Sequence, residues 1–325
     1  MINILIGIVV ILIIASMVQI VRVSELLAEL KKEDVNEVTD ADNKTQGILY
    51  LIIGFGFLIF VVWQMVSWNH LLLPDAASVH GAKIDALMKF TMGLILVVFF
   101  ITSPLLFYFV YKYRGKKTNK AYFFAHNNKL EFIWTIVPTI VLTGVIIFGL
   151  KTWDEVMNLD TSNAKIIEVY GKQFQWTARY SGEDNELGNS DFRLIDANNS
   201  LGIDMKDENA LDDQITREVH LVVDEPVLLK FRSQDIIHSA FLPHFRVQMN
   251  CVPGLLTQFG FTPTKTTVQM KEEEGEDFEY VLLCNKICGS AHYNMQMKFI
   301  VETQEEYDLW ISTQKTLDQK LLTQK

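Results

Sequence analysis

Cys284–Met295 reads C-N-K-I-C-G-S-A-H-Y-N-M, and with His238 upstream in D-I-I-H-S this stretch decides how the rest of the chain is read. It offers two thiolates (Cys284, Cys288), two imidazoles (His238, His292), a thioether (Met295) and a backbone carbonyl at Lys286. Soft and borderline donors of this kind suit copper better than calcium or magnesium. One Cys with two His and a Met makes a mononuclear blue-copper site, whereas two Cys four residues apart can bridge a pair of copper ions. The spacing fits a loop between two strands that turns Cys284 and Cys288 inward, with His238 supplied by another loop at the same end of the domain. Buried core cysteines or a disulfide would leave the placement of His292 and Met295 unexplained.

The 325 residues are 49% hydrophobic, with a mean hydropathy above zero, and the apolar residues crowd into the first half. Such a composition points to membrane spans. Four runs approach the roughly 20 apolar residues that a helical span requires: Ile2–Val21, Gly47–Val66, Phe90–Tyr111 and Phe132–Leu150. Pro138 and Gly144 in the last are compatible with a membrane helix. The first run has no basic leader and no A-x-A-like site after it, unlike a cleaved signal.

Charge sets the expected orientation. The loop between the third and fourth runs holds Lys112, Arg114, Lys116, Lys117, Lys120 and Lys129; the loop from Arg22 to Gln46 holds Arg22, Lys31, Lys32 and Lys44. Between the second and third runs stand only Lys83 and Lys89. With both basic loops inside, the N-terminus lies on the outer side, the chain crosses four times, and the C-terminal domain is outside. The expected organisation is two helices over 1–67, a transmembrane hairpin over 68–151 and an exported domain over 152–325.

That exported domain changes pattern to short runs rich in Val, Phe, Tyr and Thr: Ile166–Tyr170, Phe174–Tyr180, Glu218–Val223, Val227–Phe231, Leu256–Phe261, Thr266–Lys271, Asp277–Cys284 and Gln296–Val301. Strands at this spacing predict a β-sandwich. After Thr303, the spacing of Tyr307, Trp310 and Ile311 predicts one helix. The segment 182–215 holds ten acids against Arg193 and Lys206. It reads as an inserted solvated loop, or as a field that steers a basic electron donor. Two of the three cysteines are taken by the metal, and Cys251 reads as a small buried hydrophobe. No C-x-x-C-H occurs, so no covalent c-type haem is expected. With a net charge of −10, no nucleic-acid partner is expected either.

Taken together, L-E-F-I-W-T-I-V-P-T (Leu130–Thr139), D-I-I-H-S and C-x-x-x-C-G-x-x-H-x-x-M resemble subunit II of haem–copper cytochrome c oxidase. The resemblance covers residue 75 onward and implies a membrane-anchored chain, N-terminal transmembrane α-helices followed by a cupredoxin-like β-sandwich. It implies a dinuclear copper A centre in which Cys284 and Cys288 bridge, His238 and His292 bind through imidazole nitrogens, and Met295 and the Lys286 carbonyl are weak ligands. It further implies subunits I and III as partners and a cytochrome c-type donor, soluble or within a larger complex, in the outer (periplasmic) face of the plasma membrane. Oxygen would be reduced in subunit I, coupled to proton translocation. Glu131 is then a candidate for proton entry, and Trp176 and Phe174 for electron entry.

Three positions depart from the family pattern. Lys286 stands where the family has Glu, whose side chain resembles a magnesium ligand at the subunit I interface, and an ammonium has no lone pair to give. Phe174 replaces the usual first Trp of the aromatic strand, and Asn250 replaces a common Asp. A membrane-anchored copper carrier, a quinol-oxidase-like subunit II and the copper domain of a nitrous oxide reductase are the competing readings. A quinol-oxidase relative would lack the ligand set, a carrier would have no reason for the hairpin motif, and the reductase would bring a large further domain.

Overall fold

The structure, a computed structural model, describes residues 2–31, 38–158 and 160–323. Its first four helices are α1 (Ile2–Lys31), α2 (Asp40–Ser67), α3 (Val79–Lys112) and α4 (Asn128–Met157). All four are long and apolar enough to cross a membrane. They run beyond the apolar spans at their polar ends. Arg22 and Lys31 therefore sit on α1, Lys44 on α2, and Lys83 and Lys89 on α3, rather than in loops. Lys32 lies outside the described residues.

Two compact units emerge, one from residues through Asn69 with 95–127, the other from 70–94 with 128–325. In the first, α2 starts on a capping box: the Thr39 side chain accepts the Asp42 N–H and the Asp42 carboxylate accepts the Thr39 N–H. Gly54 seats the ring of Phe107 so closely that a Cβ would lie 2.2 Å from its Cγ. Two turns earlier Gly47 backs onto Tyr111, and Phe57 meets Phe99 edge-on. Small residues let helices approach in lipid, where packing rather than the hydrophobic effect joins them.

The second unit carries ten strands: β1 (Lys165–Lys172), β2 (Gln175–Tyr180), β3 (Gln214–Thr216), β4 (Val219–Val222), β5 (Val227–Ser233), β6 (His238–Leu242), β7 (Val247–Cys251), β8 (Thr257–Phe261), β9 (Tyr280–Cys284) and β10 (Gln296–Glu302). Helices α5 (Thr267–Glu274), α6 (Gln304–Thr313) and α7 (Leu317–Thr323) complete it. One sheet has the order β3-β2-β1-β5-β8 and the other β4-β10-β9-β6-β7. The pairs β1–β5 and β4–β10 are parallel and the remaining neighbours antiparallel. Alternation along the strands turns Trp176, Ala178 and Tyr180 of one sheet toward the same core as Leu282, Phe299 and Val301 of the other.

Four expectations need correction. Thr266–Lys271 is helical, not extended: Thr266 and Gln269 form a capping box that starts α5. The tail forms two helices, because α6 ends at Thr313 and α7 begins at Leu317. Strands β3, β6 and β7 lie in stretches read as loop. The acidic insertion is an ordered structure with its own small core of Leu201, Ile203 and Ala210 packed on Tyr170 and Leu317. Five of its acids cap local turns, with Asp184, Asp191, Asp196, Asp204 and Asp207 each accepting the N–H two residues on. Asp213 is fully buried against Arg179 of β2, whose Nε donates to its Oδ2 at 2.9 Å. Burial outweighs that guanidinium and pushes the Asp213 carboxyl up to about 6.

The sandwich is also stitched to the chain that leads into α3. Ala77 N donates to His244 O (2.8 Å), Val79 N to Thr262 O (3.1 Å) and Ser78 Oγ to Phe245 O (2.7 Å). Arg246 grips Asp85 with two hydrogen bonds of 2.8 Å.

Candidate metal centre

Four segments converge on the cluster. The burial alternation of β9 turns Tyr280, Leu282 and Cys284 inward, so Cys284 ends the strand facing the core. From there the chain loops out and returns at Met295, where the Cys284 N–H donates to the Met295 carbonyl at 3.1 Å and closes the loop. Inside it, Asn285 N is tied to Ser239 O of β6 (2.9 Å). Gly289 takes a φ of +136° under the Phe174 ring, where a Cβ would come within 2.8 Å of the ring. A single 3-10 turn, His292–Asn294, then presents His292. His238 comes not from a loop but from the first residue of β6, fully buried and paired across the sheet with Cys251.

The donor atoms meet. Cys284 Sγ lies 3.8 Å from Cys288 Sγ, 3.8 Å from His238 Nδ1 and 3.3 Å from the Lys286 carbonyl oxygen. Cys288 Sγ lies 3.5 Å from His292 Nδ1 and 3.7 Å from Met295 Sδ. Both thiols are free. His238, Cys284 and Cys288 form the one group of three or more His, Cys, Asp or Glu among the described residues that could hold a metal ion. Cys284, Cys288, Met295 and His238 are buried, while His292 is half-buried at the mouth. A cluster of lone pairs this dry, with no cation or strong donor among them, fits a soft metal.

Residues around the donors fix them. Asp235 Oδ1 accepts from His238 Nε2 at 2.9 Å, which leaves Nδ1 with its lone pair toward Cys284. Burial pushes the Asp235 carboxyl up, yet hydrogen bonds from the Gln173 N–H and His238 outweigh it and hold the group below its ordinary range. Burial and the adjacent Cys284 push the Cys288 thiol up to about 11, so metal uptake must displace a firmly held proton. Gln173 Nε2 donates to the Cys288 carbonyl. The Trp176 indole N–H donates to Met295 O at 3.4 Å, and its ring stands edge-on to His238 with centroids 5.8 Å apart. A Cβ at Gly171 would strike that indole at 2.9 Å.

All six positions expected to bind metal thus come together. Asp235, Gln173 and Gly171 were missed. The i, i+3 spacing of Asp235 and His238 in D-I-I-H was the available signal for the first, whereas the other two depend on the β1–β2 turn. Phe174 sits half-buried in that turn, and Trp176 is buried. Glu131 stands in the first turn of α4, far along the chain from the cluster. Asn250 is exposed on β7, and Cys251 is a free thiol packed in the core. Burial pushes its pKa up to about 12. Neither His80, His220 nor His244 joins the cluster; His220 stacks on Trp310 at 3.8 Å between Glu218 and Glu302.

Comparison with known proteins accords with this geometry. Residues 63–152 match the cytochrome c oxidase subunit II transmembrane domain, and residues 165–303 match the cytochrome c oxidase subunit II periplasmic domain. The chain is 29% identical over 271 residues to the alternative cytochrome c oxidase subunit 2 of Bradyrhizobium diazoefficiens, covering 83% of this chain and 91% of that one. With cytochrome c oxidase subunit 2 of Synechocystis sp. it shares 23% over 289 residues, 82% of each chain. Among solved structures, the periplasmic domain of subunit II of cytochrome oxidase of Bradyrhizobium japonicum aligns with 46% of this chain and 91% of its own, at 24% identity and a TM-score of 0.31. The two matched domains together take in well over half of the residues, and the chain belongs to the cytochrome c oxidase subunit II family.

Proposed function

We propose that this chain is the electron-entry subunit of its oxidase. It takes electrons from a cytochrome c-type donor into a dinuclear copper A centre and passes them to haem in subunit I. The observation that carries the dinuclear reading is the pair of free, buried thiols side by side, each with an imidazole nitrogen within 3.8 Å. A mononuclear site needs one such sulfur.

Cys284 and Cys288 would bridge, His238 and His292 would each bind through Nδ1, and Met295 Sδ and the Lys286 carbonyl would complete the set. When bound, the copper pair supplies a one-electron store whose charge is spread over two ions, which keeps geometric change small. The chain's own residues do the rest. Asp235 holds the His238 ring in one tautomer, Trp176 and the loop-closing hydrogen bond fix Met295, and the sandwich core keeps water from the sulfurs.

The finer assignments follow from the same frame. Phe174, half-buried beside Gly289, is nearer solvent than buried Trp176, which supports electron entry through Phe174 rather than Trp176. Glu131, at the end of α4 next to the basic 112–129 loop, is the candidate for proton entry. The exposed Lys286 side chain has no oxygen, so it contributes nothing to a magnesium site at the subunit I face. Four spans and an outer C-terminal domain support an N-terminus on the outer side as well. Subunit III is a further partner.

Copper analysis of the full chain assembled in its oxidase tests the centre. Two copper ions per chain and a mixed-valence electron spin resonance signal shared by both are expected. One ion per chain with a blue-type spectrum would sink the dinuclear reading. For a basic donor drawn by a chain of net charge −10, the rate of reduction should fall as ionic strength rises. A flat salt profile would point to a neutral or tethered donor.

A further inference from the structure

A crevice of about 430 Å³ opens between the outer ends of α3 and α4, and the proposed electron path makes no use of it. Its walls are apolar, with Leu87 and Phe90 from α3 and Phe148 from α4; the two phenyl rings approach to 6.1 Å between centroids. Its rim is charged. Lys83 Nζ pairs with Glu155 Oε2 at 2.7 Å, and Lys151 Nζ stands 4.0 Å from the other oxygen of the same carboxylate with its side chain 75% exposed. Two ammonium groups thus face one carboxylate, leaving one positive charge in surplus.

The depth of the crevice identifies its occupant. The apolar span of α3 begins at Phe90 and that of α4 ends at Leu150. Since α4 leads into the outer domain, Phe90 and Phe148 mark the outer edge of the hydrocarbon, and Lys83 and Lys151 reach the headgroup layer just beyond it. We propose that this crevice binds one anionic phospholipid, its phosphodiester held by Lys151 and Lys83 and its first methylenes lying along Leu87, Phe90 and Phe148. A lipid with one net negative charge matches the surplus of the rim. A zwitterionic lipid brings its own cation against Lys151 and matches less well. Lys151, with its ammonium mostly in solvent, has donors to give, whereas Lys83 is engaged by Glu155.

The test uses the full chain in nanodiscs of phosphatidylcholine with one-tenth phosphatidylglycerol, transferred to detergent and read by native mass spectrometry. Phosphatidylglycerol should be retained at one per chain, at least fivefold above its share of the nanodisc. Lys151→Gln should bring retention down to that share, and Lys151→Arg should keep it. Copper content, measured on all three, reports that each is folded. Retention unaltered by Lys151→Gln, or no enrichment in the wild-type chain, overturns the proposal; the second result would mean that the crevice is filled by a partner's helix or by unselected lipid.

Discussion

Two of the places where the sandwich buries polar groups treat them in opposite ways. Under the acidic insertion, charges face charges. Arg179 meets Asp213 and Glu168, Arg232 meets Glu168 and lies over the Tyr170 ring, and Arg179 Nη2 donates to Gly188 O at 2.7 Å. At the cluster around Cys288, by contrast, five soft or borderline donors face one another with no cation among them. A network that holds a fold brings its own counterions. A cluster suited to a metal does not, and its neighbours Asp235, Gln173 and Trp176 hold the donor groups from behind. The difference separates a structural use of buried polarity from a functional one without reference to any relative.

The largest effect expected on this contrast is from Cys288→Ser. It should remove the bridged pair and lower oxidase turnover at least a hundredfold, with subunit assembly retained; turnover near wild type would take the cluster off the electron path. Next comes Arg179→Leu, which strands Asp213 in the interior, leaves Glu168 to Arg232 alone, and should cost about 3–5 kcal/mol in chemical denaturation. The copper spectrum at low temperature should be unaltered, since the network lies outside the cluster. Asp213 offers a pH readout. Its folded pKa is raised above the ordinary 3.8 to about 6, so the folded state binds the proton more tightly. Stability from this group is therefore full below pH 3.8 and lost as the pH rises through 6. Relative to Asp213→Asn, which cannot titrate, the wild-type chain should lose up to about 3 kcal/mol across that window and stay level above it. A constant difference between the two would mean that Asp213 ionises freely. The smallest effect is Asp235→Asn, which keeps the shape but loosens the hold on His238. Copper affinity should fall about 10–100-fold with fold stability little altered; a loss of stability without a loss of affinity would make Asp235 a mere turn residue.

How much of this was legible follows from how local each feature is. The cluster was readable because Cys284, Cys288, His292 and Met295 lie on one loop, with soft donors that no core needs in that spacing. The four apolar spans were readable from length. Thr266–Lys271 misled because T-T-V carries β propensity, while the capping pair Thr266 and Gln269 that starts α5 was the stronger signal and lay in plain view. β6 escaped because His238 and Ser239 make its start polar: burial there follows from the site and not from hydrophobicity. The ordered state of the insertion could not be read at all. It rests on Asp213 finding Arg179 and on Leu317 of the tail packing against Leu201 and Ile203, pairings across long loops that leave no periodic trace. The ten acids that suggested a diffuse field are in good part turn-builders.

The seam between the Ala77–Asp85 segment and the sandwich has a mechanical consequence. A domain carried on a single linker swivels, and its face toward the membrane is averaged over every azimuth. Here the domain is mounted at two points: α4 runs into β1, while Ala77, Ser78 and Val79 are hydrogen-bonded to it and Arg246 clamps Asp85 on the first turns of α3. Two mounts remove the swivel. The mouth at His292 then keeps one bearing relative to α4 and the first turns of α3, the two elements that carry the domain.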